Sequence, residues 1–344
     1  MSFKVTLKPS GHSYDVAPNS TVLDAGLKAG CNMPYSCRAG NCKTCRGKIV
    51  SGEVDYGGAH GSYLTEAQKA QGYALLCKAK PLSDLVVEVE ELVLAQIKPH
   101  LMPCRVKRIR KLTPNAAIME LRLPMNENLM FAAGQYVDFQ LAEGKTRSYS
   151  IANEPSSEGV IDLELHLKHS PGGLFTDRVF GAMKEGELLR LNAPLGTFYL
   201  REESSKPIIF IANGTGFAPI KSMVNYAIQK GLRRPMTLYW GARQLADLYM
   251  HDLASGWAAD GLLNYISVLS RPSPGDNWSG RTGYVQQAVM DDYPDLSPYQ
   301  IYGCGSPAMI ESAREGFVVR RGLPEKEFFA DSFVNEFDNV HAAA

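Results

Sequence analysis

Apolar and polar residues alternate along Phe3 to Leu7 and again along Ser13 to Ala17, the period-two pattern of half-buried strands. A helical stretch follows Ser20 and Thr21, and a further strand lies around Leu85 to Val89, so residues 1–95 predict a small α+β unit. The stretch from Glu91 to Pro103 carries Pro99 and Pro103 and few long-range signals, which predicts a linker over 96–103. From Cys104 to residue 203 short strands are separated by turn pairs such as Leu123-Pro124, Ala133-Gly134, Glu143-Gly144 and Glu185-Gly186; this spacing predicts an antiparallel barrel. Beyond Lys206-Pro207 the apolar run Ile208 to Ala212 passes through a glycine turn into a helical pattern. The same order recurs at Met236 to Gly241, Asn264 to Leu269 and Gln300 to Gly303, predicting a parallel sheet wound on both faces over 204–344. The fold class expected is therefore multidomain, α+β together with α/β.

Composition narrows the partners. The chain has 344 residues, enough for two or three cores, and its 36 basic residues balance 36 acidic ones. Such a balance offers no basic field for nucleic acid. No run approaches the roughly 18 apolar residues of a membrane span, and the strand-like start Met1 to Lys8 lacks the apolar core of a secretory signal. A cytoplasmic monomer without a membrane partner is expected. Seven cysteines, crowded toward the first quarter at short spacings, then argue for metal ligation over disulfides.

Cys37, Cys42 and Cys45 form C-x4-C-x2-C, with Cys77 following far downstream, the spacing of plant-type [2Fe-2S] proteins. Four thiolates must converge on two irons from a loop tight enough to hold them, and Gly40 lets that loop fold. A structural zinc site is the alternative, but it would want a second close cysteine pair and Cys77 stands alone. Cys31, six residues before Cys37, fits no ligand position and reads as a small buried hydrophobe, as does Cys104. The segment Pro34 to Cys45 resembles the cluster loop of plant-type ferredoxins, many of which carry Gly, Ala or Ser where this chain has Lys43.

Arg147-Ser148-Tyr149-Ser150 is similar to the R-x-Y-S flavin motif of the ferredoxin-NADP reductase superfamily. The resemblance implies that Arg147 meets the FAD pyrophosphate, Tyr149 covers a ring face, and Ser150 offers a hydroxyl near N5. Leu165-His166-Leu167-Lys168 and Gly172-Gly173-Leu174-Phe175-Thr176 match the second flavin segment, which assigns His166, Lys168, Gly172, Gly173 and Thr176 to the cofactor, the diphosphate resting on a helix N-terminus. His166 and His169 stand three apart in a strand-like region, on opposite faces, and form no metal pair.

The run Asn213-Gly214-Thr215-Gly216-Phe217-Ala218-Pro219 departs from G-x-G-x-x-G but resembles the superfamily's pyridine-nucleotide motif, which implies contacts from Gly214, Thr215, Gly216 and Pro219. Gly241 and Arg243 follow the next strand. Cys304, Gly305 and Met309 match the segment placed beside the nicotinamide, where the alternative for Cys304 is a buried strand-end thiol. Phe333 resembles the C-terminal aromatic brought toward the flavin, a plain core aromatic being the alternative; with Ser150 and Cys304 it completes the expected catalytic set. Ser270 and Arg271 would welcome the 2′-phosphate of NADPH, whereas Asp247 or Asp276 would supply the carboxylate of an NADH site.

The order of domains resembles that of reductase components of bacterial multicomponent oxygenases, including benzoate and terephthalate dioxygenase reductases. It implies a β-grasp ferredoxin domain, an antiparallel flavin barrel and a parallel-sheet nucleotide domain. Electrons would pass from NADPH or NADH to FAD, then singly to the [2Fe-2S] cluster and on to a partner. The expected partner is a Rieske-type aromatic-ring dioxygenase; the alternatives are a pyridoxamine-dependent deoxysugar dehydrase and a different multicomponent monooxygenase.

Overall fold

The computed structural model describes residues 2–59, 61–92 and 97–333. They divide into two compact units, one formed by residues up to 96 together with those from 330 onward, the other by 97–329. The expected linker's residue 96 and the stretch 334–344 lie outside the described residues.

In the first unit the strands Ser13–Val16, Phe3–Lys8, Leu85–Glu88, Arg46–Ser51 and Tyr73–Leu75 lie in that order in one sheet. Phe3–Lys8 pairs antiparallel with Ser13–Val16 but parallel with Leu85–Glu88. Its alternation buries Val5 and Leu7 completely, with Val16, Val87, Val22 and Leu23 in the same core. The helix Val22–Lys28 starts where Thr21 accepts from the Asp24 amide, a cap worth about 1 kcal/mol. This is the predicted β-grasp arrangement.

The second unit begins with a six-stranded antiparallel sheet ordered Thr146–Ser150, Tyr136–Gln140, Leu188–Leu195, His100–Thr113, Ala116–Arg122, Asp162–Lys168. A bridge between Ile151 and Leu165 joins the two ends of that order, so the sheet closes into a barrel around Val137, Phe139, Leu165 and Leu191. His100–Thr113 starts inside the segment expected as linker, and Pro103 sits within the strand. A parallel sheet follows, with neighbours in the order Arg281–Thr282, Asn264–Leu269, Met236–Ala242, Ile208–Asn213, Gln300–Gly305. The near-continuous apolar strand Ile208–Asn213 sits between two partners, as expected of a strand covered on both faces. The chain crosses back into the first unit at Ala330, within the strand Phe328–Ser332.

Candidate electron-transfer and nucleotide sites

The cluster loop runs through positive φ at Arg38, Gly40 and Lys43. Gly40 adopts φ +85° without cost; Lys43 at φ +60° holds a conformation that side-chain-bearing residues rarely adopt. Its sulfurs fall into two pairs. Cys37 hydrogen-bonds Cys42 and Cys45 hydrogen-bonds Cys77, and within each pair the shared proton drives one thiol down, Cys42 and Cys77, while its partner rises. The Asn41 amide donates to Cys37 Sγ at 3.3 Å, the kind of N–H···S bond that stabilises cluster sulfur.

Two pairs, one for each iron, match a [2Fe-2S] group. Ser36, beside Cys37, donates to the buried Asp331 carboxylate at 2.7 Å and accepts from the Ser332 amide at 3.0 Å. Burial pushes Asp331 up to about 6, against the opposing hydrogen bond from Ser36.

At the barrel, Ser150 ends the strand Thr146–Ser150, and its hydroxyl is buried without a protein partner. A buried orphan hydroxyl costs about 1–3 kcal/mol, so it marks where a polar group is to be met, as flavin N5 would be. Tyr149 packs its ring on Phe175 and Phe139 at 5.4 and 6.0 Å between centroids. Arg147 is half-buried and donates to its neighbour's carbonyl, Thr146 O, at 2.7 Å. Gly172 donates to Asp177 at 3.0 Å; Thr176 donates to Ser170 O at 3.0 Å and accepts from Ser170 N at 3.2 Å. The Thr176 hydroxyl therefore shapes the glycine turn ahead of the short helix Thr176–Phe180. Lys168 is exposed.

His166 is engaged elsewhere. Its fully buried ring bonds Glu164 through Nε2 at 2.8 Å and the Tyr249 hydroxyl through Nδ1 at 2.7 Å. Glu164 also pairs with the buried Lys221 at 3.1 Å, and Lys221 donates to Ala152 O. Ser222 and Asn225, from the same helix Phe217–Gln229, bond Asn153 O and Glu154. The residues just after the flavin motif are thereby fixed to the helix that follows the nucleotide turn. None of Glu164, Lys221 or Tyr249 was singled out from the sequence; the one signal was a lysine inside an otherwise apolar helical run.

This network has a pH signature. Burial alone would raise Glu164, yet the hydrogen bond from His166 and the charge of Lys221 outweigh it and hold the carboxyl down at about 2. Burial pushes His166 below its ordinary value, against the pull of Glu164. Below about pH 6.5 an unfolded histidine takes a proton that the folded ring refuses, so stability falls with pH there; the Glu164 share is lost lower, from about 4.5 toward 2. We expect the thermal midpoint, followed by flavin release, to drop as pH falls from 7 to 5. His166→Gln should lower it at pH 8 but flatten that window; an unchanged slope in the variant would assign the loss to another group.

On the parallel sheet the register Ala212↔Cys304 and Asn213↔Gly241 brings three strand ends to one carboxyl edge. Gly214–Gly216, Gly241–Arg243 and Cys304–Gly305 meet there, at the point where strand order reverses and α/β sheets bind ligands. A Cβ on Gly216 would lie 2.2 Å from Cys304 O, and one on Gly305 2.7 Å from Met309 Cε, so glycines let these turns pack. Trp240 donates to Gly214 O at 3.0 Å and stacks on Phe217 at 3.9 Å, with Tyr249 edge-on to the indole at 5.4 Å. Cys304 is fully buried at the end of this floor. Thr215 and Pro219 lie on the turn and first helical residues of the same segment.

The backbones of Ser270 and Arg271 hydrogen-bond Ala242 O and Arg243 O, each at 2.9 Å, which sets Arg243 and Arg271 side by side, both exposed. Asp247 and Asp276 instead accept from the amides of Gln244 and Ser273 in their own turns. Phe333 is half-buried, directly after Phe328–Ser332.

The comparisons with known proteins agree with this assembly. The 2Fe-2S iron-sulfur cluster binding domain matches residues 5–82, the oxidoreductase FAD-binding domain 103–199, and the oxidoreductase NAD-binding domain 210–315. Over 338 residues the chain is 41% identical to the CDP-6-deoxy-L-threo-D-glycero-4-hexulose-3-dehydrase reductase of Yersinia pestis, covering 97% of this chain and 99% of that protein. It is 34% identical to the phenol hydroxylase P5 protein of Acinetobacter pittii over 99% of this chain and 97% of that one. Among solved structures it is similar to the Amycolatopsis cytochrome P450 reductase GcoB, with TM-score 0.77, 32% identity, and coverage of 97% and 99% of the two chains. An oxidoreductase with cluster, flavin and nucleotide domains in one chain is the class these features define. The chain belongs to the family of iron-sulfur flavoprotein reductases of the ferredoxin-NADP reductase superfamily, the electron-transfer components of oxygenases and related enzymes. No helix among the described residues is long and apolar enough to cross a membrane.

Proposed function

We propose that this reductase draws electrons from NADPH and delivers them to a dehydrase acting on a nucleotide-activated 4-keto-6-deoxyhexose. The carrying observation is the 41% identity, over nearly the full length of both chains, to a reductase named for such a dehydrase. A second reading, delivery to an oxygenase of Rieske or other type, has the support of the phenol hydroxylase protein at 34% and a terephthalate 1,2-dioxygenase reductase at 32%. Reconstitution decides between them. The purified reductase with NADPH should support turnover of a dehydrase and its sugar nucleotide at a rate well above that with a dioxygenase component; the reverse ranking would overturn the first reading.

When bound, FAD supplies the passage from a two-electron hydride donor to a one-electron acceptor. The protein's part is placement. The buried Ser150 hydroxyl suits a hydrogen bond to N5, Tyr149 an aromatic cover, Arg147 a charge-assisted contact to the pyrophosphate, and the Gly172-Gly173 turn a phosphate at the helix start. The glycine turn Gly214 to Gly216 and the Cys304-Gly305 end suit the nicotinamide dinucleotide.

Nucleotide choice rests on the exposed Arg243 and Arg271, whose backbones are joined by a hydrogen bond, with Asp247 and Asp276 engaged in their own turns. Arg271→Ala should cost NADPH about tenfold in kcat/KM, equivalent to about 1.4 kcal/mol, and leave NADH nearly unchanged. Equal losses for both would mean that Arg271 only shapes the site.

A further inference from the structure

We propose that the first unit carries a divalent metal site distinct from the cluster, a zinc site formed by His12 Nδ1, Cys31 Sγ and the Glu91 carboxylate. Among the described residues these are the three donors of metal-binding type whose ligand atoms all lie within 4.8 Å of one another. They come from three separate segments. His12 stands in the turn between Phe3–Lys8 and Ser13–Val16, where Leu7 N donates to His12 O and Gly11 N to Leu7 O. Cys31 follows the helix Val22–Lys28, its amide donating to Gly26 O at 2.9 Å. Glu91 follows Leu85–Glu88 and is fixed on both sides, by Val89 N to Lys8 O and by Leu92 N to Asn32 O.

The donor set has the chemistry of zinc. Sulfur, imidazole nitrogen and carboxylate oxygen are all zinc ligands, whereas calcium and magnesium take oxygen alone. Zinc bonds of about 2.0–2.3 Å require donors roughly 3.3–3.8 Å apart in a tetrahedron. His12 Nδ1 already lies 3.0 Å from Glu91 Oε2, so closure onto an ion needs only small side-chain shifts. Burial differs usefully among the three: Cys31 is 6% exposed, the Glu91 side chain 13%, and the His12 side chain 67%. The imidazole thus faces solvent, leaving a path for entry and a fourth position for water. Without a cation, the Glu91 carboxylate takes a hydrogen bond from the buried Cys31 thiol and meets the solvent-exposed His12 ring at 3.0 Å, an exposed pair worth little. On binding, the ion replaces the thiol proton, which passes to solvent, and no redox change is involved. Such an ion would tie the hairpin turn, the loop after the helix and the segment leaving the central strand Leu85–Glu88 together. The loop leads from Cys31 directly into the cluster segment at Cys37.

The test uses the holoprotein with its FAD and iron, freed of adventitious metal with a chelator and then given zinc chloride. Radiozinc equilibrium dialysis should find one zinc per chain with the iron content unchanged, and zinc-edge X-ray absorption should show one sulfur and otherwise nitrogen or oxygen neighbours. Cys31→Ala should weaken zinc about a hundredfold or more, and His12→Ala, a surface change that leaves folding intact, about tenfold or more. Zinc held by four sulfurs with iron lost would mean that the cluster cysteines took it. That result, zinc bound equally by wild type and His12→Ala, or the absence of binding at micromolar zinc, would overturn the proposal.

Discussion

Cys42→Ser should purify without its iron yet retain FAD and reduce ferricyanide with NADPH at a near wild-type rate. Cys42 belongs to the Cys37–Cys42 sulfur pair and is almost wholly buried, so a hydroxyl there replaces a thiolate with a harder and more basic donor in a loop that cannot rearrange around it. The loop is held by positive φ at Arg38, Gly40 and Lys43, which leaves few alternative paths. The flavin and nucleotide turns lie in the other unit and should fold as before. Hydride uptake and transfer to ferricyanide therefore persist, while cytochrome c reduction should fall by about two orders of magnitude, because single electrons leave through the cluster. Iron analysis and the two acceptor assays on one preparation check this. Retention of about two irons per chain, or an unimpaired cytochrome c rate, would remove Cys42 from the ligand set.

Much of this molecule was legible in its sequence because the informative signals are local. The alternation at Phe3 to Leu7, the C-x4-C-x2-C loop of Cys37, Cys42 and Cys45 and the glycine turn after Ile208 to Ala212 are each written within a few residues. What escaped is what only tertiary contact creates. His166 was assigned to the flavin by its motif, but its ring reaches Tyr249, 83 residues away, and its other nitrogen takes Glu164. Lys221 could be noticed as a charge in an apolar helix, though not matched to Glu164. Pro103 suggested a linker because proline lacks an amide hydrogen, yet it lies within the long strand His100–Thr113, opposite Arg190. Cys31 was set aside because cluster spacing had no place for it; spacing could not reveal that His12 and Glu91 surround it. The aromatic floor of Phe217, Trp240 and Tyr249 likewise draws on three segments with no common period.

Gly216→Ala should leave both the flavin and the iron in place and lower kcat/KM for the nicotinamide nucleotide by about one to two orders of magnitude, since a displacement near 1 Å at a reacting centre costs about a hundredfold. The conflict is with backbone: the new Cβ would lie 2.2 Å from Cys304 O, 2.7 Å from its carbonyl carbon and 3.2 Å from Gly305 N. Those atoms end a strand paired residue for residue with Ile208–Asn213, so the sheet cannot yield and the turn must move instead. Its movement would also strain the Trp240 bond to Gly214 O and the Phe217 stack, and overpacking of this kind costs about 1–3 kcal/mol. Gly256→Ala is the matched control. Gly256 lies in the helix His251–Ala259 with open space where a Cβ would stand, and alanine there should be neutral or stabilising by up to about 1 kcal/mol. Stopped-flow bleaching of the flavin by NADPH, run on both variants beside wild type, separates the outcomes. A Gly216→Ala protein that bleaches as fast as wild type at every nucleotide concentration would mean that the close approach of the glycine turn to Cys304 has no part in placing the nicotinamide.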